Sequence, residues 1–132
     1  MPCPDCGAPV VAFTVPESLR EYAPADDAVL CTRCLRTAPW TDDQPQPVSP
    51  DDAEFSAVDE TFPSGRAGVA FALALGKLGS LALERSAIEA LCETAEREGS
   101  DVWLALDRLS RAENLEPHFD IARRTEQLSS FR

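Results

Sequence analysis

The spacing of apolar residues in the second half of the chain predicts helices. An Ala- and Leu-rich run over residues 65–78 follows Ser64, which is a good N-cap residue. Over residues 84–98 apolar side chains recur every three or four positions, and Gly99 then ends the pattern. This spacing is typical of an amphipathic helix with one buried face. We therefore expect two consecutive helices, separated by a break near residues 79–80.

Two shorter apolar stripes follow toward the C-terminus. Ser100 is expected to cap the first of these helices, and Pro117 or Asp120 to begin the second, whose apolar contacts include Phe131. Helices of about 10 to 15 residues are only marginally stable alone, so all four must pack together. We expect a bundle of about four helices with short connections over residues 63–132.

The first 40 residues have the composition of short strands instead. Residues 10–15 are rich in Val and Phe, residues 28–30 lead into a cysteine pair, and residues 35–40 supply a third strand. The insertion at residues 16–27 is longer than a tight turn and has room for one helical turn. The fold class predicted from this order is α+β, with the strands near the N-terminus and the helices after them.

The segment between these two parts is acidic and rich in proline. Residues 41–62 carry seven acidic side chains and no basic one, with three prolines in the first twelve residues. Such a composition cannot bury a core of its own, so we expect a linker between a ribbon at residues 1–40 and the bundle at residues 63–132. A short helix near residues 54–59 would bring three apolar side chains to one side. These are Phe55, Val58 and Phe62.

The only strong chemical signal is carried by two pairs of cysteines. Cys3 and Cys6 form one CxxC motif, and Cys31 and Cys34 form another, with 24 residues between the motifs. Four sulfurs presented by two such loops can converge on a tetrahedral centre, which suits zinc. A module of about 40 residues with few apolar side chains cannot fold on its own core. We therefore predict a zinc ribbon with one structural Zn²⁺.

The residue that follows each cysteine pair differs between the two motifs. Gly7 follows the first pair and adopts a positive φ without penalty, which lets backbone N–H groups point at the thiolates. Leu35 follows the second pair, where the same conformation costs about 1 kcal/mol, and this predicts a looser geometry. Arg33 lies inside the second pair and is expected to offset some of the negative charge of the site.

Three other uses of paired cysteines stay open. Rubredoxin-like iron binding needs two similar loops, but both loops usually end in Gly and an aromatic cage surrounds the iron. A redox CxxC pair needs a cysteine of low pKa at a helix N-terminus in a βαβ setting, and no such pattern follows. Disulfides are disfavoured because the N-terminus has no secretory signal. Structural zinc is favoured over all three.

Several short stretches of the sequence together resemble a known family. The stretches are residues 3–7 (CPDCG), 62–65, 80–83 and 115–120. The chain resembles a halobacterial family of small CPxCG zinc-ribbon proteins, which is classed as a domain of unknown function. The resemblance covers almost the whole chain and implies zinc, salt adaptation and a cytoplasmic location. It implies no activity.

The charge balance says more about the surroundings of the protein than about its partner. The formal net charge is −11, the pI is near 4.4, and Lys77 is the only lysine among twelve basic residues. An acidic surface stays hydrated at high salt, where repulsion is screened, so we expect a salt-adapted, cytoplasmic protein. The same charge disfavours sequence-independent binding to nucleic acid or to an anionic membrane. The apolar run at residues 67–83 is too short and too interrupted to span a bilayer.

The other residues that could carry chemistry have ordinary structural explanations. Gly68, Ala72 and Gly76 are spaced by four and line one helix face, which predicts close packing within the bundle or, as the alternative, a homodimer seam. Cys92 lies on an apolar stripe and is expected in the core. His118 is the only histidine and is expected to cap a helix or to lie at the surface.

The functional prediction is a non-enzymatic protein-interaction module or adaptor whose partner is another protein. No catalytic motif is visible in the sequence. An alternative is a nucleic-acid-associated factor of transcription or translation that uses the zinc ribbon, which rests on analogy between folds. Four arginines near the C-terminus either pair with carboxylates of neighbouring helices, as we favour, or contact RNA or an acidic protein. They are Arg108, Arg111, Arg123 and Arg124.

Overall fold

The strands and helices follow one another in the predicted order. The structure, a computed structural model, describes residues 3–130, so the predicted contact of Phe131 lies outside the described residues. A small antiparallel sheet lies near the N-terminus and four helices follow it. The predicted α+β fold class is therefore confirmed.

Three strands form one sheet. They are β1 (Val10–Thr14), β2 (Asp27–Cys31) and β3 (Thr37–Pro39), each antiparallel to its neighbour in that order. Val11 lies opposite Leu30, and both side chains are buried in the main core. A 3-10 helix, Glu17–Tyr22, occupies the insertion between β1 and β2 and buries Leu19. The small sheet thus presents one apolar face to the rest of the chain.

The helices make up the second half of the chain. They are α1 (Gly65–Lys77), α2 (Leu81–Arg97), α3 (Val102–Arg111) and α4 (Ile121–Ser129). A single 3-10 turn, Leu78–Ser80, separates α1 from α2 where the sequence predicts a break. Helix α2 begins three residues earlier than predicted and is kinked at Glu84, where φ is −111° and ψ is 15°.

The cap of α3 is Asp101, so the prediction that Ser100 caps this helix is wrong. The Asp101 side chain accepts a hydrogen bond from the N–H of Leu104 at 3.0 Å. Ser100 instead belongs to the end of α2, because its N–H donates to the Ala95 carbonyl at 3.0 Å. With Gly99 at a φ of 96°, this is the hydrogen-bond pattern that ends helices in a left-handed residue.

A chain of aromatic contacts joins the sheet to the helices. The ring of Phe13 in β1 lies 5.4 Å from that of Phe55, which stacks at 5.3 Å on Phe62. Phe62 in turn meets Phe71 of α1 edge-on at 5.1 Å, and all four rings are buried. The boundaries at residues 40 and 62 stay a prediction, but the hydrophobic core runs across both of them.

The acidic middle segment, residues 41–62, lies against the outer edge of the sheet. Val48 accepts a hydrogen bond from the N–H of Thr14 at 2.9 Å and forms an isolated parallel bridge to β1. The indole N–H of Trp40 donates to the Pro45 carbonyl at 2.8 Å. A 3-10 helix, Phe55–Ala57, then buries Phe55, close to where the sequence predicts a short helix. Because this segment is rich in proline and aspartate, it forms little core of its own. Its buried apolar side chains pack instead into the core formed by the sheet and α1.

The two glycines on the small-residue face of α1 lie closest to the middle segment and β3, and not to another helix of the predicted bundle. A Cβ atom at Gly68 would collide with the ring of Phe55, and one at Gly76 would collide with Thr37 of β3. The middle segment and the sheet therefore use the close approach that glycine permits. Ala72, between them, is fully buried. This face belongs to the core of the chain itself.

The apolar run that includes α1 is a core element. By length and composition, the helical stretch at residues 65–97 could cross a membrane, since an 18-residue window in it has a mean hydropathy of 1.4. However, 61% of that window is buried inside the protein. The core helix of a globular protein passes the same test, and this burial is what such a helix requires.

Candidate metal centre

The four cysteines of the two CxxC motifs come together at one end of the sheet. The Sγ atoms of Cys3, Cys6, Cys31 and Cys34 all lie within 4.8 Å of one another. The Cys3 and Cys34 sulfurs are 3.8 Å apart, and the Cys6 and Cys31 sulfurs 3.3 Å apart. Four sulfurs at about 2.3 Å from a tetrahedral zinc ion would lie about 3.8 Å from one another. The cluster could therefore hold a metal ion of this kind.

The sheet and the hydrogen bonds between the loops position the sulfurs. Cys31 is the last residue of β2. Thr32, which follows it, donates to the Pro9 carbonyl through its N–H at 3.0 Å and its hydroxyl at 2.7 Å. The first loop is closed by the N–H of Cys3, which donates to the Ala8 carbonyl at 2.8 Å. The antiparallel pairing of β1 with β2 thus places the two loops side by side.

Both loops end in a left-handed residue. The φ of Gly7 is 80° and that of Leu35 is 63°. The second loop therefore reaches the same kind of turn with a leucine, and the expected difference in geometry does not appear at this position. In this loop the N–H groups of Arg33 and Cys34 donate to the Cys31 sulfur at 3.4 Å and 3.3 Å. Backbone donors aimed at sulfur stabilise the thiolate form that metal ligands require.

Burial and hydrogen bonding act on the thiols in opposite directions. The N–H of Ala8 donates to Cys6, and this hydrogen bond lowers the pKa of that thiol to about 7. Burial raises the pKa of Cys31 to about 12 and raises the pKa of Cys34 above its ordinary value. Thiols that are costly to ionise in a buried site need a cation to hold them together as thiolates. The donor set therefore fits a cation that replaces the thiol protons.

The Arg36 side chain lies beside the sulfurs of the cluster. The Arg36 side chain hydrogen-bonds to the Cys34 sulfur, which raises the pKa of the guanidinium. Its Nε also lies 4.0 Å from a carboxylate oxygen of Asp5 in the first loop. Arg33 is exposed, as Arg36 is, and its role in offsetting the charge of the site stays a prediction. The sequence does hold a signal of this contact, since Arg36 follows Cys34 by two residues, which is close enough for its side chain to reach the thiol.

His118 contacts the backbone of the second loop, 84 residues away in sequence. The backbone N–H of His118 donates to the Cys34 carbonyl at 2.9 Å, and the ring Nδ1 lies 2.8 Å from the same oxygen. The N–H of Glu116 donates to the Arg33 carbonyl at 2.9 Å. The ring is half-buried, and burial lowers the pKa of the imidazole. His118 therefore neither caps a helix nor lies free at the surface, and local sequence holds no signal of this contact.

The remaining candidate residues lie elsewhere. Cys92 is buried in the main core, as predicted. Arg111 pairs with Asp107 of its own helix at 3.1 Å, whereas the sequence predicts pairing across helices. Arg124 donates to Gln127 at 2.9 Å. The other two arginines of the predicted group, Arg108 and Arg123, are exposed.

Comparison with known proteins gives a family and no function. A family model described only as a family of unknown function matches residues 2–132. No curated protein matches the chain, and no solved structure matches it.

Proposed function

The chain belongs to DUF6276, a family of unknown function, and we propose that it is a zinc-binding, non-enzymatic protein-interaction module of a salt-adapted cytoplasm. The observation that carries the proposal is the all-sulfur donor set with its four thiols within 4.8 Å. Four sulfurs complete a tetrahedral shell, whereas catalytic zinc sites keep one position open for water or substrate. A zinc ion held by Cys3, Cys6, Cys31 and Cys34 would cross-link two loops and stabilise the fold.

Zinc is favoured over iron by the surroundings of the sulfurs. Among the described residues, the apolar groups packed round the cysteine cluster are Ala8 and Val10. An aromatic cage of the kind that surrounds rubredoxin-like iron is not part of that cluster. A redox role is disfavoured because the first CxxC pair lies in a loop before β1 and not at the N-terminus of a helix.

A non-enzymatic role is supported by the use that the chain makes of its single histidine. The His118 ring lies against the Cys34 carbonyl, so it is engaged with the loop backbone and not aimed at a nucleophile. A rigid ribbon packed against a helical body instead offers surfaces for another macromolecule. We propose that this macromolecule is a protein, because a net charge of −11 opposes contact with phosphates.

The test of the interaction role is co-purification of the full chain in molar potassium chloride, followed by mass spectrometry. We expect stoichiometric capture of a protein outside the transcription and translation machinery. Capture of polymerase or ribosomal subunits instead, lost when the exposed Arg108 and Arg123 are changed to Ala, would contradict the proposal and favour the nucleic-acid-associated alternative. Capture of nothing by freshly purified, metal-loaded protein would also contradict it.

The salt-adapted character has its own test. Residues 41–62 carry seven acidic side chains and no basic one, so their mutual repulsion should destabilise the fold in dilute buffer. Raising potassium chloride to about 1 M shortens the Debye length to about 3 Å and screens this repulsion. We expect the melting temperature, followed by circular dichroism, to rise over that range. A melting temperature that is flat or falls would contradict salt adaptation.

A further inference from the structure

A groove runs along the outer edge of β1, under the middle segment. It encloses about 380 Å³. Val10, Ala12, Val48 and Ala57 give it apolar walls, and the carboxylates of Asp52 and Glu54 lie among the residues that line it. Val48 is 39% exposed, although most valines of this protein are buried. The groove is thus an apolar surface with negative charge beside it.

The outer edge of β1 offers backbone groups to this groove. The N–H of Val15 donates to the Asp26 carbonyl on the β2 side. The backbone N–H and C=O groups of odd-numbered residues in this stretch therefore point toward β2, and those of even-numbered residues point outward. Val48 uses part of the outer edge, since it accepts from Thr14 and donates to the Ala12 carbonyl at 3.4 Å. By the same alternation the backbone of Val10 faces the groove. A sheet edge of this kind can accept a further extended strand.

The charge around the groove is negative over a long stretch of chain. Residues 41–62 contain no basic residue. The nearest basic residues in sequence are Arg36, which lies 4.0 Å from Asp5, and Arg66, which lies 3.7 Å from Glu98. Both cations are therefore already opposite a carboxylate. Among the described residues that line the groove, two are acidic and none is basic.

We propose that this groove binds an extended segment of a partner protein that carries Lys or Arg among small apolar residues. The aliphatic stem of a Lys or Arg side chain packs on Val10 and Val48, and its cationic head meets Asp52 and Glu54. The inference rests on the proposed interaction role and names the partner class. Val10 also packs against the cysteine cluster, so the metal-loaded site supports one end of the groove.

The experiment is selection of a display library of random peptides of about eight residues on the full, zinc-loaded chain. We expect the enriched peptides to combine Lys or Arg with Val, Ile or Thr. Their affinity is then measured by fluorescence anisotropy for the parent and for Glu54→Lys. Because Glu54 is exposed, this reversal leaves the fold intact, which circular dichroism checks. We expect it to weaken binding at least about tenfold.

The matched control is Glu113→Lys, which makes the same charge change at an exposed residue between α3 and α4. We expect this variant to bind within about twofold of the parent. No enrichment, enrichment of acidic peptides, or equal loss in both variants would overturn the proposal. If Glu54→Lys still captures the cellular partner, the groove is the wrong surface and the interaction role stands. If the parent captures no partner, the interaction role itself fails.

Discussion

The two cysteine loops have the same motif, and each ends in a residue with the left-handed conformation, but their surroundings differ. In the first loop a Cβ atom at Gly7 would meet nothing within 4 Å. In the second loop Leu35 is fully buried and belongs to the main hydrophobic core. The second loop also accepts backbone hydrogen bonds from Glu116 and His118. The first loop thus faces solvent, while the second is anchored in the body of the protein.

The difference shows when a left-handed position needs glycine and when it does not. A left-handed conformation costs a residue such as leucine about 1–2 kcal/mol. Full burial of a leucine side chain contributes about 1.5–3 kcal/mol, which offsets that cost. Leucine is therefore tolerated at position 35 because the core buries its side chain. At position 7 no neighbouring atoms are available for a side chain to pack against. The metal centre and the helices are linked through the second loop.

The largest expected effect is that of Cys31→Ser. A structural zinc ion contributes about 10–16 kcal/mol to folding in comparable peptides, so loss of one ligand should remove most of that contribution. Cys31 is the last residue of β2, and Leu30 before it lies in the core shared with the helices. We therefore expect the helical signal in circular dichroism to melt at much lower temperature, together with the sheet. An unchanged melting transition of the helices would show that the ribbon folds independently of them and that the second loop is not anchored in the helical part.

The next effect is that of Leu35→Ala. Truncation of a fully buried leucine removes apolar contacts and leaves a cavity, which costs about 2–5 kcal/mol. Alanine keeps the strain of the positive φ, so nothing offsets that cost. We expect the loss in the free energy of unfolding measured with urea at saturating zinc. A loss below about 1 kcal/mol would mean that Leu35 does not anchor the loop.

The matched change in the first loop, Gly7→Ala, should be milder. The added methyl group meets no neighbouring atom, so only the strain of the left-handed backbone counts, at about 1–2 kcal/mol. The same urea titration measures it. If Gly7→Ala costs as much as Leu35→Ala, the two loops are energetically alike and the proposed asymmetry is wrong.

Much of this fold could be predicted from local pattern, whereas the anchoring of the second loop could not. The helices follow from apolar spacing, and the four ligands follow from the spacing of Cys3, Cys6, Cys31 and Cys34. The cap at Asp101 was missed because Ser100 is an equally good cap by type, and only the end of α2 decides between them. Local sequence also does not indicate which element will cover Gly76 or contact Cys34.

The smallest expected effect is that of His118→Ala. This change removes the ring from the Cys34 carbonyl but keeps the backbone N–H bond to the same oxygen. One hydrogen bond of this kind contributes about 0.5–1.5 kcal/mol. We expect zinc to transfer to a chromophoric chelator several times faster than from the parent, with little change in circular dichroism. An unchanged transfer rate would mean that the segment at residues 115–119 does not hold the second loop.

X-ray absorption at the zinc edge, with elemental analysis of the same sample, shows whether four cysteine sulfurs hold one structural zinc ion. We expect one zinc per chain and four sulfur neighbours at about 2.3 Å, with no oxygen or nitrogen bound to the metal. Stoichiometric iron, no metal in freshly purified protein, or a shell of mixed sulfur and oxygen would contradict it.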